Sequence, residues 1–266
     1  MQWLDSLPTW ALALLVVGGF TFVALLGFVV VRRFRFHAPD PSSDAMLSTF
    51  AVSAATLLGV LLVFVIVALY QGYAEAKDSV RAEATALAQL VRDGRAFPVP
   101  VESTIECRIS SYRTTLIDDE WPAMARGTSS PLALARLEHL YAAVVNYHPQ
   151  TPNERIFYRD AVSHLDDLIS ARRDRLDHVG GAVPGPLWIL IVVAAFVSVL
   201  SMYAFARSAD RLQVLLIGLY SVLIGASLFV AILLDFPFAG SIAVTPTPYN
   251  EGVLSHLCGE LACRSC

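Results

Sequence analysis

Four long apolar runs dominate the pattern of hydrophobic and polar positions along this chain of 266 residues. A helix needs about 20 mostly apolar residues to cross a bilayer, and each run is too uniformly apolar for the surface helix of a soluble domain. The pattern therefore predicts four transmembrane helices. Because no basic residue precedes the first run and it is too long for a signal peptide, we expect a permanent anchor. The runs cover residues 10–31, 50–70, 187–206 and 212–234.

A polar insert separates the second run from the third, and it carries four stripes of apolar residues. Recurrence at every third or fourth position places such side chains on one face of a helix, and segments containing glycine or proline separate the stripes. We therefore predict a helical insert, with the second transmembrane helix continuing into it as far as about Arg92. The stripes are Val80, Ala84, Leu87 and Val91; Ile105, Ile109, Tyr112 and Leu116; Leu137, Leu140, Tyr141 and Val144; and Val162, Leu165, Ile169 and Leu176.

The predicted fold class is an all-α integral membrane protein with four transmembrane helices and a helical extramembrane insert between the second and third spans. Composition agrees with this assignment. Hydrophobic residues make up 56% of the chain, charged residues only 16%, and the mean hydropathy is +0.58. We divide the chain into a first transmembrane pair at 1–71, the insert at 72–186, a second pair at 187–235 and an extended C-terminal tail at 236–266.

The chemistry-bearing residues point away from catalysis and from nucleic-acid binding. The net charge is −4, and no block of lysine and arginine is long enough to bind nucleic acid. The chain lacks the common hydrolase, zinc-protease and nucleotide-binding motifs, and its six histidines are scattered. We therefore expect neither an enzyme nor a bound cofactor.

Arginines in the short loops set the expected orientation in the cell membrane. Arg32, Arg33 and Arg35 follow the first span, and Arg207 and Arg211 bound the loop after the third. Short loops rich in lysine and arginine stay in the cytoplasm, so we expect the N-terminus and the insert to lie outside. The 13 lysines and arginines of the insert argue the other way, but long inserts cross largely regardless of charge.

The fourth run ends on an acidic residue, Asp235, although the helix dipole disfavours an anion at a helix C-terminus. Water, an arginine or a neighbouring backbone would have to compensate. The simpler interpretation is a hydrated carboxylate at the membrane interface, with Pro237 ending the helix. The alternative is a carboxylate held at a pore mouth or between helices, since polar groups at membrane depth are usually functional.

Two segments carry a resemblance to a known family. DFPFAGSIAVTPTPY, residues 235–249, follows the last span, and DEWPAM, residues 119–124, lies in the insert. Together with the order of spans and insert, they resemble the bestrophin-like family of bacterial membrane proteins, which carry a similar Asp-x-Pro-Phe-x-Gly segment and a similar Glu-Trp-Pro motif. The matching positions are Asp235, Pro237, Gly240, Glu120, Trp121 and Pro122.

The resemblance covers nearly the whole chain and implies the fold more specifically than the function. The named relatives of this family, the bestrophins, are pentameric anion channels with helical cytosolic regions. The resemblance therefore implies a homo-oligomeric ring that conducts anions passively. It also implies a cytosolic insert, which conflicts with the orientation that the arginine-containing loops predict.

The second span offers a candidate pore lining. A pore needs polar or small residues where ions rest and apolar rings where it gates, and one face of this span carries hydroxyl groups followed by valines. Ordinary helix packing is the simpler interpretation of this stripe by itself. No span has a lysine, arginine, glutamate or histidine in its middle, which favours passive conduction over active transport. The candidates are Thr49, Ser53, Thr56, Val60, Val63 and Val67.

Three consecutive acids, Asp118, Asp119 and Glu120, precede Trp121 in the insert. Calcium needs six to eight oxygens from a shaped loop, and consecutive side chains on a helix point in different directions. We therefore expect a solvated helix end, with Trp121 docked against a neighbouring helix or the membrane interface.

The cysteines offer only a weak metal hypothesis. His256, Cys258, Cys263 and Cys266 supply the nitrogen and sulfur ligands that structural zinc uses, but their spacing is irregular and terminal. A free tail is therefore expected, with zinc or a disulfide as the alternatives. We expect Cys107 to be an isolated core residue, because it lies on an apolar stripe.

The leading functional hypothesis is a passive, anion-selective channel, formed by a homo-oligomer in the lipid bilayer with the second span lining the pore. The alternative is a non-conducting membrane scaffold or sensor whose insert binds a protein partner. The absence of a charged pore residue and the expected outside placement favour this alternative. Oligomeric state separates the two, because the four spans of a monomer are too few for a pore.

Overall fold

A computed structural model describes residues 9–33, 41–181, 183–203 and 211–257, with the side chains of 41–45 and 47 left out. No strand occurs in these ranges, and every regular element is a helix. The chain divides into two compact units. Residues 1–72 and 181–235 form what we call the membrane unit, and residues 73–180 and 236–266 form the insert unit.

Four of the described helices are long and apolar enough to cross a bilayer. This confirms the predicted fold class, an all-α membrane protein with four spans and a helical insert. Residues 204–206 of the predicted third run lie outside the described residues. The first span comprises α1 (Thr9–Ala13), a π-helical turn (Leu14–Gly18) and α2 (Gly19–Arg33); the others belong to α3 (Pro41–Gly94), α8 (Gly185–Tyr203) and α9 (Arg211–Asp235).

The second span and the first helix of the insert form one helix, α3, as predicted. Its 54 residues correspond to about 80 Å at 1.5 Å per residue. The segment contains no proline after its first position, so nothing in its interior removes a backbone hydrogen bond.

Close contacts join the first, third and fourth spans of the membrane unit. A Cβ atom at Gly225 of α9 would lie 3.0 Å from the Cα of Val17, so this glycine permits the backbones to approach closely. The rings of Phe20 and Phe196 lie 5.8 Å apart, and the hydroxyl of Tyr203 donates a hydrogen bond to the carbonyl of Ala24. Aromatic packing and small residues thus hold these spans together.

Two helices of the insert unit begin with a proline that follows a serine or a threonine. Ser130 caps the helix that begins at Pro131 by accepting a hydrogen bond from the amide of Ala133, and Thr151 caps the helix that begins at Pro152 by accepting one from the amide of Glu154. Proline follows each cap, where its missing amide costs nothing. After α3, the insert unit contains α4 (Val99–Thr115), a π-helical turn (Leu116–Glu120), α5 (Trp121–Ala125), α6 (Pro131–Val145) and α7 (Pro152–Asp177).

The first two predicted stripes are buried in the core of the insert unit, whereas the fourth buries only Leu165 and its other residues, Val162, Ile169 and Leu176, pack half-buried against that core. Leu137, Leu140 and Val144 are buried, but Tyr141 is 45% exposed, so its placement in the core is wrong. Adjacent residues on a helix lie about 100° apart, and Tyr141 therefore points away from the face that its neighbour Leu140 buries.

A segment after the last span completes this core. Phe238, Val244, Tyr249 and Leu254 are buried in it, and the hydroxyl of Tyr73 donates a 2.9 Å hydrogen bond to the carbonyl of Ile242. Turns over residues 237–242 are followed by two short 3₁₀ helices, Thr247–Asn250 and Gly252–His256. We call residues 236–257 the C-terminal segment.

Candidate functional site

The predicted pore stripe lies on an exposed face of α3. All six of its residues are exposed, whereas Leu58, Leu62, Val65 and Leu69 on another face are buried. Ser53 and Thr56 donate 2.8 Å hydrogen bonds to the carbonyls four residues earlier, so their oxygens keep lone pairs for other groups. The stripe therefore changes from hydroxyl groups to valines along one helix face.

Exposure is not restricted to this stripe. Leu57 and Phe64 are also exposed on α3, by 71% and 70%. Their larger apolar side chains suit contact with lipid, whereas the hydroxyl-to-valine order suits an ion path. The assignment of the pore face therefore depends on residue type rather than on exposure.

Asp235 is buried at the C-terminal end of α9, with 3% of its surface exposed. Its carboxylate accepts hydrogen bonds from the amide of Val183 at 2.9 Å and from the indole nitrogen of Trp188 at 3.1 Å. The expectation of a hydrated interfacial carboxylate is therefore wrong. A backbone amide and an indole, both at the start of the third span, offset the unfavourable helix dipole.

The other residues of the Asp-x-Pro-Phe-x-Gly segment shape a turn. Pro237 is buried, and its carbonyl accepts a 2.8 Å hydrogen bond from the amide of Val244. Gly240 is exposed and has φ of 82°, in the left-handed region that favours glycine. The sequence pattern here serves backbone geometry rather than a reactive group.

A buried polar cluster lies at the centre of the insert unit. We call it the Arg175 cluster, and it consists of Glu83, Glu120, Arg172, Arg175, Tyr112 and Tyr249. The Glu83 carboxylate accepts hydrogen bonds from Arg175 Nε at 2.5 Å and Nη2 at 3.2 Å, from Tyr112 at 2.5 Å and from Tyr249 at 2.9 Å. Two carboxylates and two guanidinium groups balance in charge.

Glu120 links the two arginines of the cluster. It accepts hydrogen bonds from Arg172 Nη2 at 2.5 Å and from Arg175 Nη2 at 2.8 Å. Its surface is fully buried, so the expectation of a solvated helix end is wrong for this residue, although Asp118 and Asp119 are exposed. The buried arginines compensate a charge that water would otherwise have to solvate.

The sequence contained a signal for this cluster that the interpretation missed. Glu83 lies three residues after Val80, and Glu120 lies four after Leu116, so each acid falls on a predicted apolar stripe. Arg172 likewise follows Leu165 at helical spacing. Charges of both signs on stripes that must pack together indicate buried ion pairs.

Burial determines the protonation of the cluster. It raises the pKa of Tyr112 and Tyr249 well above the ordinary value, and the charge of Glu83 raises both further. Burial is the largest single effect and lowers the pKa of Arg175, but the neighbouring groups together, with the carboxylate of Glu83 foremost, outweigh it, so the pKa lies well above its ordinary value. The phenols therefore stay protonated as donors, and Arg175 stays charged.

Trp121 joins the two segments that carried the family resemblance. Its indole nitrogen donates a 3.2 Å hydrogen bond to the carbonyl of Val244, and its ring meets Phe238 and Tyr249 edge to face at 5.8 and 5.9 Å. Arg175 lies 5.7 Å from the centre of the same ring. Pro122 is exposed in the first turn of α5. Trp121 thus docks mainly against the C-terminal segment.

The described residues leave the metal hypothesis for the tail untested. His256 is exposed, whereas Cys258, Cys263 and Cys266 lie outside the described residues. Within the ranges that the structure describes, no three histidine, cysteine or acidic side chains are grouped to hold a metal ion. Cys107 is disulfide-bonded, so the expectation of an isolated core thiol is wrong.

These features define a helical membrane protein whose insert is closed by a segment following the last span. The chain belongs to the Bestrophin-like family, whose domain matches residues 18–249. No curated protein sequence matches it.

Solved structures share the fold. A bacterial bestrophin homologue from Klebsiella pneumoniae, solved by Zn-SAD phasing, is 15% identical, with 93% of this chain and 94% of that chain covered and a TM-score of 0.63. Two point-mutant forms of a bestrophin homologue from the same organism are 15% and 18% identical. They cover 93% and 89% of this chain and 96% and 93% of theirs, with TM-scores of 0.62 and 0.58.

Breaking the Arg175 cluster should strongly destabilise the insert unit. We expect Glu83→Gln to lower the free energy of unfolding by about 3–5 kcal/mol, because it leaves a buried guanidinium short of negative charge. Denaturant unfolding in detergent measures this change. Asp78→Asn on the same helix is the matched control, since the Asp78 side chain is 74% exposed, and should cost less than about 1 kcal/mol. Equal losses in the two variants would contradict the argument.

The raised phenol pKa values predict loss of stability at alkaline pH. Above about pH 10 the unfolded chain releases its phenol protons while the folded chain keeps those of Tyr112 and Tyr249. Their contribution is therefore complete below about pH 10 and is lost as the pH passes through the raised pKa. We expect melting temperature to fall less steeply above about pH 10 in Tyr249→Phe than in the wild type. Tyr141→Phe, at an exposed position, should keep the wild-type slope, and a wild-type slope in Tyr249→Phe would refute the assignment.

Proposed function

We propose that the protein is a passive anion channel of the cell membrane, formed by a homo-oligomeric ring in which α3 lines the pore. The observation that carries the proposal is the exposed hydroxyl-to-valine stripe on α3 in a member of the Bestrophin-like family. One protomer offers a single such face, so a closed pore needs the same face from several copies. Anion selectivity rests on the resemblance to the bestrophin anion channels.

The proposed pore gates by excluding water from an apolar ring, and it does not rely on a ring of charged side chains. Thr49, Ser53 and Thr56 place hydroxyl oxygens toward one end of the stripe, and Val60, Val63 and Val67 follow without any charge. Rings of valines gate by excluding water, whereas hydroxyl groups partly replace the hydration shell of an ion. The central part of each span lacks a lysine, arginine, glutamate or histidine that could couple transport to protons.

We further propose that the N-terminus and the insert lie outside the cytoplasm. Two observations support this orientation, which differs from the cytosolic insert that the bestrophin resemblance implies. Arginines flank the two short loops, and short basic loops stay inside. Cys107 in the insert is disulfide-bonded, and disulfides persist in oxidising compartments outside the cytoplasm.

Chloride flux through proteoliposomes tests the channel. We expect flux above that of protein-free vesicles, and we expect Val63→Ala to raise it several-fold because a smaller side chain widens and wets the apolar ring. Phe64→Ala, at the neighbouring exposed position, should leave the flux unchanged. Wild-type flux at the vesicle background would overturn the proposal and favour the non-conducting scaffold. Equal effects of the two variants would show that the stripe within residues 49–67 of α3 is not the pore face.

Labelling of a single introduced thiol tests the orientation. Ser129→Cys lies in the exposed loop before α6, whereas Gly127 has φ of 78° and would be strained by a cysteine. We expect a membrane-impermeant thiol reagent to label this variant in intact cells above the wild-type background. Labelling only after lysis would place the insert in the cytoplasm and overturn this part of the proposal.

A further inference from the structure

A groove on the insert unit lies between the first half of α4 and the second half of α6. Its volume is about 510 Å³, within the range of small-molecule sites. Ala142 and Ala143 leave space on the α6 side, and Pro100 and Val101 supply an apolar wall on the α4 side. The groove therefore offers a concave, partly apolar surface that the Arg175 cluster does not use.

Two cationic or potentially cationic side chains face this groove. Arg108 from α4 and His139 from α6 both line it, and its lining contains no carboxylate. In the part of the chain that the structure describes, neither side chain forms an ion pair. Arg172 and Arg175, by contrast, are neutralised by buried acids.

The tyrosine at the other end of the groove already has a hydrogen-bond partner. Tyr147 lines it, but its hydroxyl donates a 2.5 Å hydrogen bond to Glu154, which also accepts one from the amide of Gln150. The uncompensated positive charge of the groove is thus that of Arg108, and His139 adds a polar ring on the α6 side.

We propose that this groove binds a small organic carboxylate. The planar guanidinium of Arg108 matches a carboxylate with two parallel hydrogen bonds, and His139 adds a donor. The apolar body of the ligand would cover Ala142, Ala143, Pro100 and Val101. The proposal is independent of conduction, because it concerns binding to the insert unit.

Binding of benzoate to the full chain in nanodiscs of neutral lipid tests the proposal, with ligand-observed NMR or calorimetry as the readout. We expect benzoate to bind and benzamide, which has the same shape without the charge, to bind at least about tenfold more weakly. Arg108→Gln should weaken benzoate binding to a similar extent. Arg126→Gln, at an exposed arginine outside the groove, should leave it unchanged.

A second variant tests the shape of the site without removing its charge. Ala142→Phe fills the groove, and we expect it to abolish benzoate binding while the melting temperature stays at the wild-type value. Benzoate binding that persists in Ala142→Phe would show that the groove is not the binding site. Four outcomes would each overturn the proposed carboxylate recognition. These are no benzoate binding to the wild type, equal binding of benzamide, an equal loss of binding in Arg126→Gln, and equally strong binding of inorganic phosphate.

Discussion

The buried contact between Arg175 and Glu83 fixes the packing of the insert unit. Removing each charge from water costs several kcal/mol, and only a complete set of partners offsets that cost. Glu83 has such a set, because α4 contributes Tyr112, α7 contributes Arg175 and the C-terminal segment contributes Tyr249. An arrangement that kept these side chains buried but apart would leave a charge without its partner, so the contact restricts how the elements can pack.

The fold could be predicted from the sequence because it depends on local spacing. Apolar residues at every third or fourth position mark the spans and the core faces, and proline after a serine or threonine marks the starts of α6 and α7. The same reasoning could indicate buried charges in the insert, but not which residues of the Arg175 cluster pair with one another. Its members are ordinarily surface residues, and Arg175 lies 92 positions from Glu83 in the chain. A single sequence does not show which residues pair over such a distance, although charged residues on apolar stripes indicate that buried ion pairs form.

In the membrane unit too, features that depend on local spacing could be predicted, whereas contacts between residues far apart in the chain could not. The stripe on α3 could be read from spacing alone, but a transmembrane helix exposes other faces too, as Leu57 and Phe64 do. Asp235 could be recognised as unusual from its place at a helix end. Its two donors, Val183 and Trp188, lie 52 and 47 positions earlier, and their arrival depends on how the third and fourth spans pack.

The C-terminal segment has a consequence for biosynthesis. Tyr249 follows Arg175 by 74 positions, and both later spans lie between them. At translation rates of about 5–20 residues per second, the ribosome needs about 4–15 s to cover this distance. During that time the nascent insert has its arginine and acids but lacks one phenol and the aromatic partners of Trp121. The core of the insert is therefore completed only after all four spans have been synthesised. The transmembrane helices are made before the last part of the extramembrane core.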